Sequence, residues 1–200
     1  MNEKLRGVAK LKVTSGVRTT PTMRKVVADS GPLLALFNRA DRWHAPVLQW
    51  LETNPQARLL TTWPVLTEVC ALLARRVGNE AALDFLRWCQ RGGVTLDAPA
   101  VDTLPQTLAQ VLLISELFGD LPFDLADASV AEAAARQGIR HVLTIDSDFD
   151  VYRDAKGIAL RCVLRDGWWL ESPITAPSNS HYPPAKSGLA NTQSTGAARC

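Results

Sequence analysis

The residues of this chain whose type and spacing could do chemistry are aspartates and glutamates. Asp29 stands directly behind the β-branched run KVVA, and Glu68 lies inside WPVLTEVCALLARRVG. Asp127 falls in the first turn of DLADASVAEAAARQG, and Asp146 follows HVLTI with Asp148 and Asp150 at alternate positions beyond it. Each has an ordinary explanation on its own. Asp29 can cap the next helix, and Asp127 can complete a capping box with Asp124. Glu68 can be a solvated helix residue, and the three close aspartates can be a turn. Together they say more, because clustered carboxylates repel and coexist by holding protons or binding cations. An all-oxygen donor set suits hard Mg²⁺, or Mn²⁺, rather than zinc. Such a site is suited to phosphate chemistry, in which a metal activates water and stabilises the leaving oxygen.

Other chemistries lack their parts. The chain has no GxxxxGK[ST] loop, no GxGxxG and no GxSxG elbow. His44, His141 and His181 have no metal-ligand spacing, and Cys70, Cys89, Cys162 and Cys200 form no CxxC pair. Cys70 and Cys89 read as small buried residues in helical patterns, in keeping with a reducing cytoplasm. VVADSG has the flavour of a phosphoryl-aspartate enzyme, but such enzymes carry a second aspartate where this chain has Gly31.

The elements that must position these acids alternate between strand and helix. KVVAD is a first strand ending at Asp29; SGPLLALFNR is a helix with Ser30 as N-cap and Pro32 in its first turn. WHAPVLQWLETN is a helix and ARLLTT a second strand; WPVLTEVCALLARRVG is a helix terminated by Gly78. NEAALDFLRWCQRGG, VTLDAP and VDTLPQTLAQVLLISELFG read as helix, strand and helix, the last interrupted by Pro105. A loop through Asp124 feeds a helix closed by Gly138; IRHVLTID is the fourth strand and IALRCVL a fifth. This alternation predicts an α/β fold with a mostly parallel central sheet of four to five strands flanked by helices. Ligands of such sheets sit beyond the carboxyl ends of the strands, where Asp29 and Asp146 project.

The net charge of +2 hides an asymmetry: residues 1–25 hold seven Lys/Arg against Glu3 alone. Residues 1–24 form a basic extension, and residues 166–200 a tail rich in Pro, Ser, Thr and Gly; both are expected to be disordered around one domain at 25–165. No apolar run is long enough to span a membrane, and the start lacks the apolar middle of a secretory signal, so a cytoplasmic protein is expected.

VVADSGPLLALF, LTTWPVLTEVCALL, LADASVAEAAARQG and HVLTIDSDF resemble the four signature blocks of PIN-domain ribonucleases, in order and with compatible spacing. The resemblance covers about residues 25–165 and is nearest to the VapC-type toxins of toxin–antitoxin pairs. It implies a PIN-like domain in which Asp29 and Asp127 are principal Mg²⁺ ligands. Glu68 and Asp146 would hold a second metal or orient the attacking water. Ser30 and Thr144 match small polar positions beside the ligands, Asp148 a less uniform acid, and Phe149 a packing position. It further implies an RNA substrate, a cognate antitoxin and a homodimer. Arg75, Arg76 and Arg153 are candidates for positioning RNA phosphates. The alternatives are a PIN nuclease processing RNA or DNA without an antitoxin, and a catalytically silent PIN-like binding module.

Overall fold

A computed structural model describes residues 24–120 and 123–165. The expected extensions at 1–24 and 166–200 therefore lie, but for Arg24, outside the described residues. The first strand, β1 (Arg24–Ala28), carries Val26, Val27 and Ala28 with no solvent exposure. It pairs in parallel with β2 (Ala57–Thr62) on one side and β4 (His141–Leu143) on the other. A strand covered on both faces reads as an unbroken apolar run, which is why KVVA is legible as a central strand. Completing the sheet, β3 (Thr95–Asp97) pairs with β2, and β5 (Arg161–Cys162) pairs with β4. The order is β3-β2-β1-β4-β5, with all pairs parallel. The winding therefore reverses between β1 and β4, and ligands of open α/β sheets bind beyond the strand ends at such a reversal.

Six α-helices cover the sheet among the described residues. Helix α1 (Ser30–Phe37) is apolar almost all round, with Leu33, Leu34, Ala35 and Leu36 buried, as suits a helix with neighbours on several sides. Following it are α2 (His44–Thr53), α3 (Trp63–Arg76) and α4 (Asn79–Gln90). Phe37, Phe85 and Trp88 bring α1 and α4 together edge to face, with centroids 5.4 and 5.7 Å apart. Helix α6 (Leu125–Gln137) is alanine-rich, and Ala126, Ala128, Ala131, Ala133 and Ala134 are buried, so its backbone can approach the sheet closely. Gly138 ends it in the left-handed conformation at φ 66°.

Several boundaries differ from the sequence expectation for local reasons. Asp29, not Ser30, is the N-cap of α1, and its side chain accepts from the Ser30 N–H. Helix α5 (Leu104–Leu117) begins one residue before Pro105, so the proline opens the helix rather than interrupting it. Gly78 does close α3, its N–H donating to the Leu73 carbonyl, although Val77 is the C-cap. The fourth strand stops at Leu143, so Asp146 lies three residues past the ladder in a bend. Cys70 and Cys89 are half-buried against the core rather than enclosed by it.

Candidate metal centre

Asp29 follows β1 at the carboxyl edge of the sheet, and its N–H donates to the Leu143 carbonyl of β4 at 3.0 Å. Its carboxyl group is buried and held from two sides. The Ser30 N–H donates to Oδ1 at 2.5 Å, and the Thr144 hydroxyl donates to Oδ2 at 2.8 Å. Thr144 is fully buried and also accepts from the Asp146 N–H at 2.9 Å. Asp146 in turn accepts from the Asp148 N–H at 2.9 Å, an Asx turn. One hydroxyl therefore fixes Asp29 relative to the bend that carries Asp146.

The bend reaches this position through a close approach at Gly31. A Cβ at Gly31 would lie 2.7 Å from Cγ1 of Ile145, so the first turn of α1 and the residue before Asp146 pack directly together. Phe149 anchors the far side of the bend; it is buried, with its ring 5.3 Å from Phe123.

Asp127 arrives from the first turn of α6. Asp124 accepts from the Ala126 and Asp127 N–H groups, and Asp127 accepts from the Asp124 N–H, a complete capping box. The capping role and a place in the acidic cluster are compatible, because the carboxylate feels both Asp29 and Asp146. Glu68 lies half-buried on α3, and its charge reaches Asp29. Asp29 thus feels the charge of Glu68 and Asp146 and in turn acts on Asp127, with Ser30 and Thr144 hydrogen-bonded to it.

The electrostatics of the cluster follow from burial and repulsion. Burial, the largest cause, pushes the Asp29 carboxyl up to about 6 against its two hydrogen bonds, and Glu68 and Asp146 add to the rise. Burial, then the neighbouring Asp29, pushes Asp127 up to about 7. Burial and Asp146 also raise Asp148. Among the described residues, none of Asp29, Glu68, Asp127 and Asp146 forms an ion pair with a cationic side chain; the ion pairs lie elsewhere. No three His, Cys, Asp or Glu side chains among the described residues gather closely enough to form a metal-holding group by themselves. Mg²⁺ is commonly bound through one or two carboxylates and several waters.

Other expected site residues lie elsewhere. Arg75 and Arg76 occupy the last turn of α3, whereas Glu68 and the carboxyl edge belong to its first half. A helix that follows a parallel strand runs back toward the amino edge, carrying its last turn away from the acids. Arg153 donates to the carbonyls of Asp150 and Tyr152 within its own loop. It lines a cavity of about 480 Å³ between α5, α6 and the loop at 152–155 that includes none of the four acids. Asp150 meets Arg165 rather than the cluster.

Sequence reasoning missed a set of buried hydroxyls behind the carboxylates. Thr61 donates to the Ala28 carbonyl at 2.8 Å, and the Thr62 and Ser129 hydroxyls meet at 2.6 Å. Cys162 donates from Sγ to the Thr144 carbonyl at 3.1 Å. The pairing of Thr62 with a serine 67 positions away left no local signal; the polar pair that ends the apolar strand ARLLTT was the one available hint.

Comparison with known proteins bears on the family and the fold. The family model described as PIN domain matches residues 26–155. Ribonuclease VapC26 of Mycobacterium tuberculosis (strain ATCC 25618 / H37Rv) is 29% identical over 121 residues, covering 60% of this chain and 86% of the relative. The crystal structure of Mycobacterium tuberculosis VapC20, described as a sarcin-ricin loop cleaving toxin, superposes with a TM-score of 0.54 at 22% identity. It covers 63% of this chain and 93% of that one, a likeness of fold.

Proposed function

From the premise that the chain belongs to the PIN-domain family, we propose that it is a Mg²⁺-dependent endoribonuclease, the toxin of a toxin–antitoxin pair. The observation that carries this reading is Asp29: a buried carboxylate at the switch point of the sheet, among other acids, with no cationic partner among the described residues. An unpaired buried charge is costly, and a divalent cation is the partner such a cluster fits. The similarity to a curated ribonuclease supports RNA as the substrate.

In this reading Asp29 and Asp127 hold the metal, Mg²⁺ or alternatively Mn²⁺. Bound there, the cation supplies Lewis-acid chemistry, lowering the pKa of water and neutralising charge on the phosphoryl group. Thr144 keeps one Asp29 oxygen engaged and turns the Asp146 backbone toward the same point. Ser30 fixes the other Asp29 oxygen through its N–H. Glu68 and Asp146 would, in the same reading, hold a second metal or orient the attacking water and take up its proton. Asp148 stands behind Asp146 as a supporting acid.

The proposal extends to partners and placement. Leu104, Leu108, Leu112, Leu113 and Leu117 are exposed along α5, an apolar face that suits a second copy of the chain or a cognate antitoxin. No helix among the described residues is long and apolar enough to cross a membrane, and a cytoplasmic protein with its PIN domain at 25–165 completes the reading. Incubating the purified full chain with single-stranded RNA tests it. Cleavage in Mg²⁺ that stops in chelator is expected; cleavage that persists in chelator contradicts it.

A further inference from the structure

Trp63 is an unusual residue to leave in water. It is the first residue of α3, directly behind β2, and is 54% exposed. Its place relative to the acids is fixed by the buried hydroxyl pair described above. Thr62 caps α3 and meets Ser129 on α6, two residues beyond Asp127. Backbone and bond lengths then hold the α-carbons of Trp63 and Asp127 within roughly 17 Å of each other. Leu125, the first residue of α6, is 58% exposed and lies four residues before Ser129, on the same helical face. The two helices that carry Glu68 and Asp127 thus each present a large apolar side chain at the edge where the acids gather.

We infer that Trp63 is a stacking platform for a nucleobase of the RNA, with Leu125 as the second apolar contact, and that it sets affinity and sequence preference near the cut. This inference rests on the proposed ribonuclease activity and deepens it. The chemistry is general: every base offers a π face, and aromatic side chains beside a backbone-binding groove are how single strands are gripped. Single-strand binders track roughly 4–16 nucleotides, so a ring this close to the acids falls inside a footprint centred on them. The acids repel the RNA backbone until a cation is bound, which leaves base stacking as a contact that carries affinity without opposing charge. Tryptophan suits this task because its ring is large and rigid, and α3 holds it at a helix end rather than on a loop.

Cleavage and binding of a mixed-sequence, single-stranded RNA 12-mer by the full chain, with Trp63→Ala and Trp63→Phe, test the inference. Trp63→Ala should raise KM and the dissociation constant about tenfold, the range for one stacked base being roughly 5- to 150-fold. Its kcat should stay within about twofold of wild type. Trp63→Phe should recover most of the loss, and the map of cut sites should shift for the alanine variant. The ring is more than half exposed, so an unchanged melting temperature accompanies these effects. An alanine variant with wild-type KM, affinity and cut sites overturns the inference while leaving the ribonuclease reading intact, and points to a protein contact at Trp63. Equal losses for alanine and phenylalanine also overturn it. A wild-type chain that neither binds nor cleaves RNA overturns the reading beneath it, and the inference with it.

Discussion

Helix α6 carries acids toward both ends, Glu132 buried and Asp127 half-buried, in opposite circumstances. Toward its C-terminus, Glu132 accepts from Arg136 Nε at 2.8 Å, and the same guanidinium donates through Nη2 to Asp97 at 2.5 Å. Gln137 donates to the other Asp97 oxygen at 2.6 Å. Nearby, Asp154 is paired with Arg140 and accepts two backbone N–H groups. Toward its N-terminus, Asp127 and its neighbour Asp29 meet hydroxyls, N–H groups and other carboxylates, but no cation among the described residues. The fold neutralises buried acids with arginine where they tie helix to sheet. Where it leaves them without a cationic partner among the described residues, the divalent cation proposed above would supply the missing positive charge.

Breaking the comparison at its sharpest point gives the largest effect. Asp29→Asn removes one charge from the unpaired cluster and should lower RNA cleavage about a thousandfold, roughly 4 kcal/mol of barrier. The same variant should be at least as resistant to urea as the wild type, because it relieves repulsion and desolvation. Arg136→Ala acts at the other end of the helix and should do the reverse. It leaves Asp97 and Glu132 buried without their cation and should cost up to about 3 kcal/mol in urea unfolding, limited by the partial exposure of the arginine. Its specific cleavage rate per folded molecule should change little.

The pH dependence of stability sharpens the contrast. Asp29 and Asp127 titrate at about 6 and about 7 when folded, against 3.8 for an ordinary aspartate. Between those values the native state holds more protons than the unfolded chain, so stability falls as pH rises. In chelator, urea unfolding near pH 7.5 should show roughly 2 kcal/mol less stability than near pH 5, a figure discounted for coupling and for the exposure of Asp127. Saturating Mg²⁺ should flatten that slope, since a bound cation favours the ionised acids. A slope unaffected by Mg²⁺ would separate the acids from any metal.

The smallest difference lies within one turn. The Asp146 N–H donates to the Thr144 hydroxyl, which itself donates to Asp29, whereas Asp150 pairs with Arg165 at the surface. Asp146→Asn should slow cleavage at least about tenfold, near 1.4 kcal/mol, and Asp150→Asn should leave it almost unchanged. Equal rates for the two variants would remove Asp146 from the cluster.

How much of this was legible depended on how local the cause was. KVVA announced a central strand because both its faces are covered, and Asp29 behind it followed from the rule about strand ends. The capping box of Asp124 and Asp127 is written within four residues and was read directly. The end of β4 was misjudged because Ile145 extends the apolar run, although its side chain leaves the ladder to pack on Gly31. The arginines of α3 looked like phosphate ligands until the direction of the helix carried them away from the edge. The pairs that lock the site and its counterpart, Thr62 with Ser129 and Asp97 with Arg136, join residues 67 and 39 positions apart, and no periodicity encodes them.

Whether the Asp29 carboxylate holds a divalent cation is decided by calorimetric titration of the purified chain with Mn²⁺, side by side with Asp29→Asn and Arg136→Ala. Binding is expected to the wild type and to the folded Arg136→Ala protein, with loss of that binding in Asp29→Asn. No binding to the wild type, or equal binding with and without the Asp29 carboxylate, would contradict it.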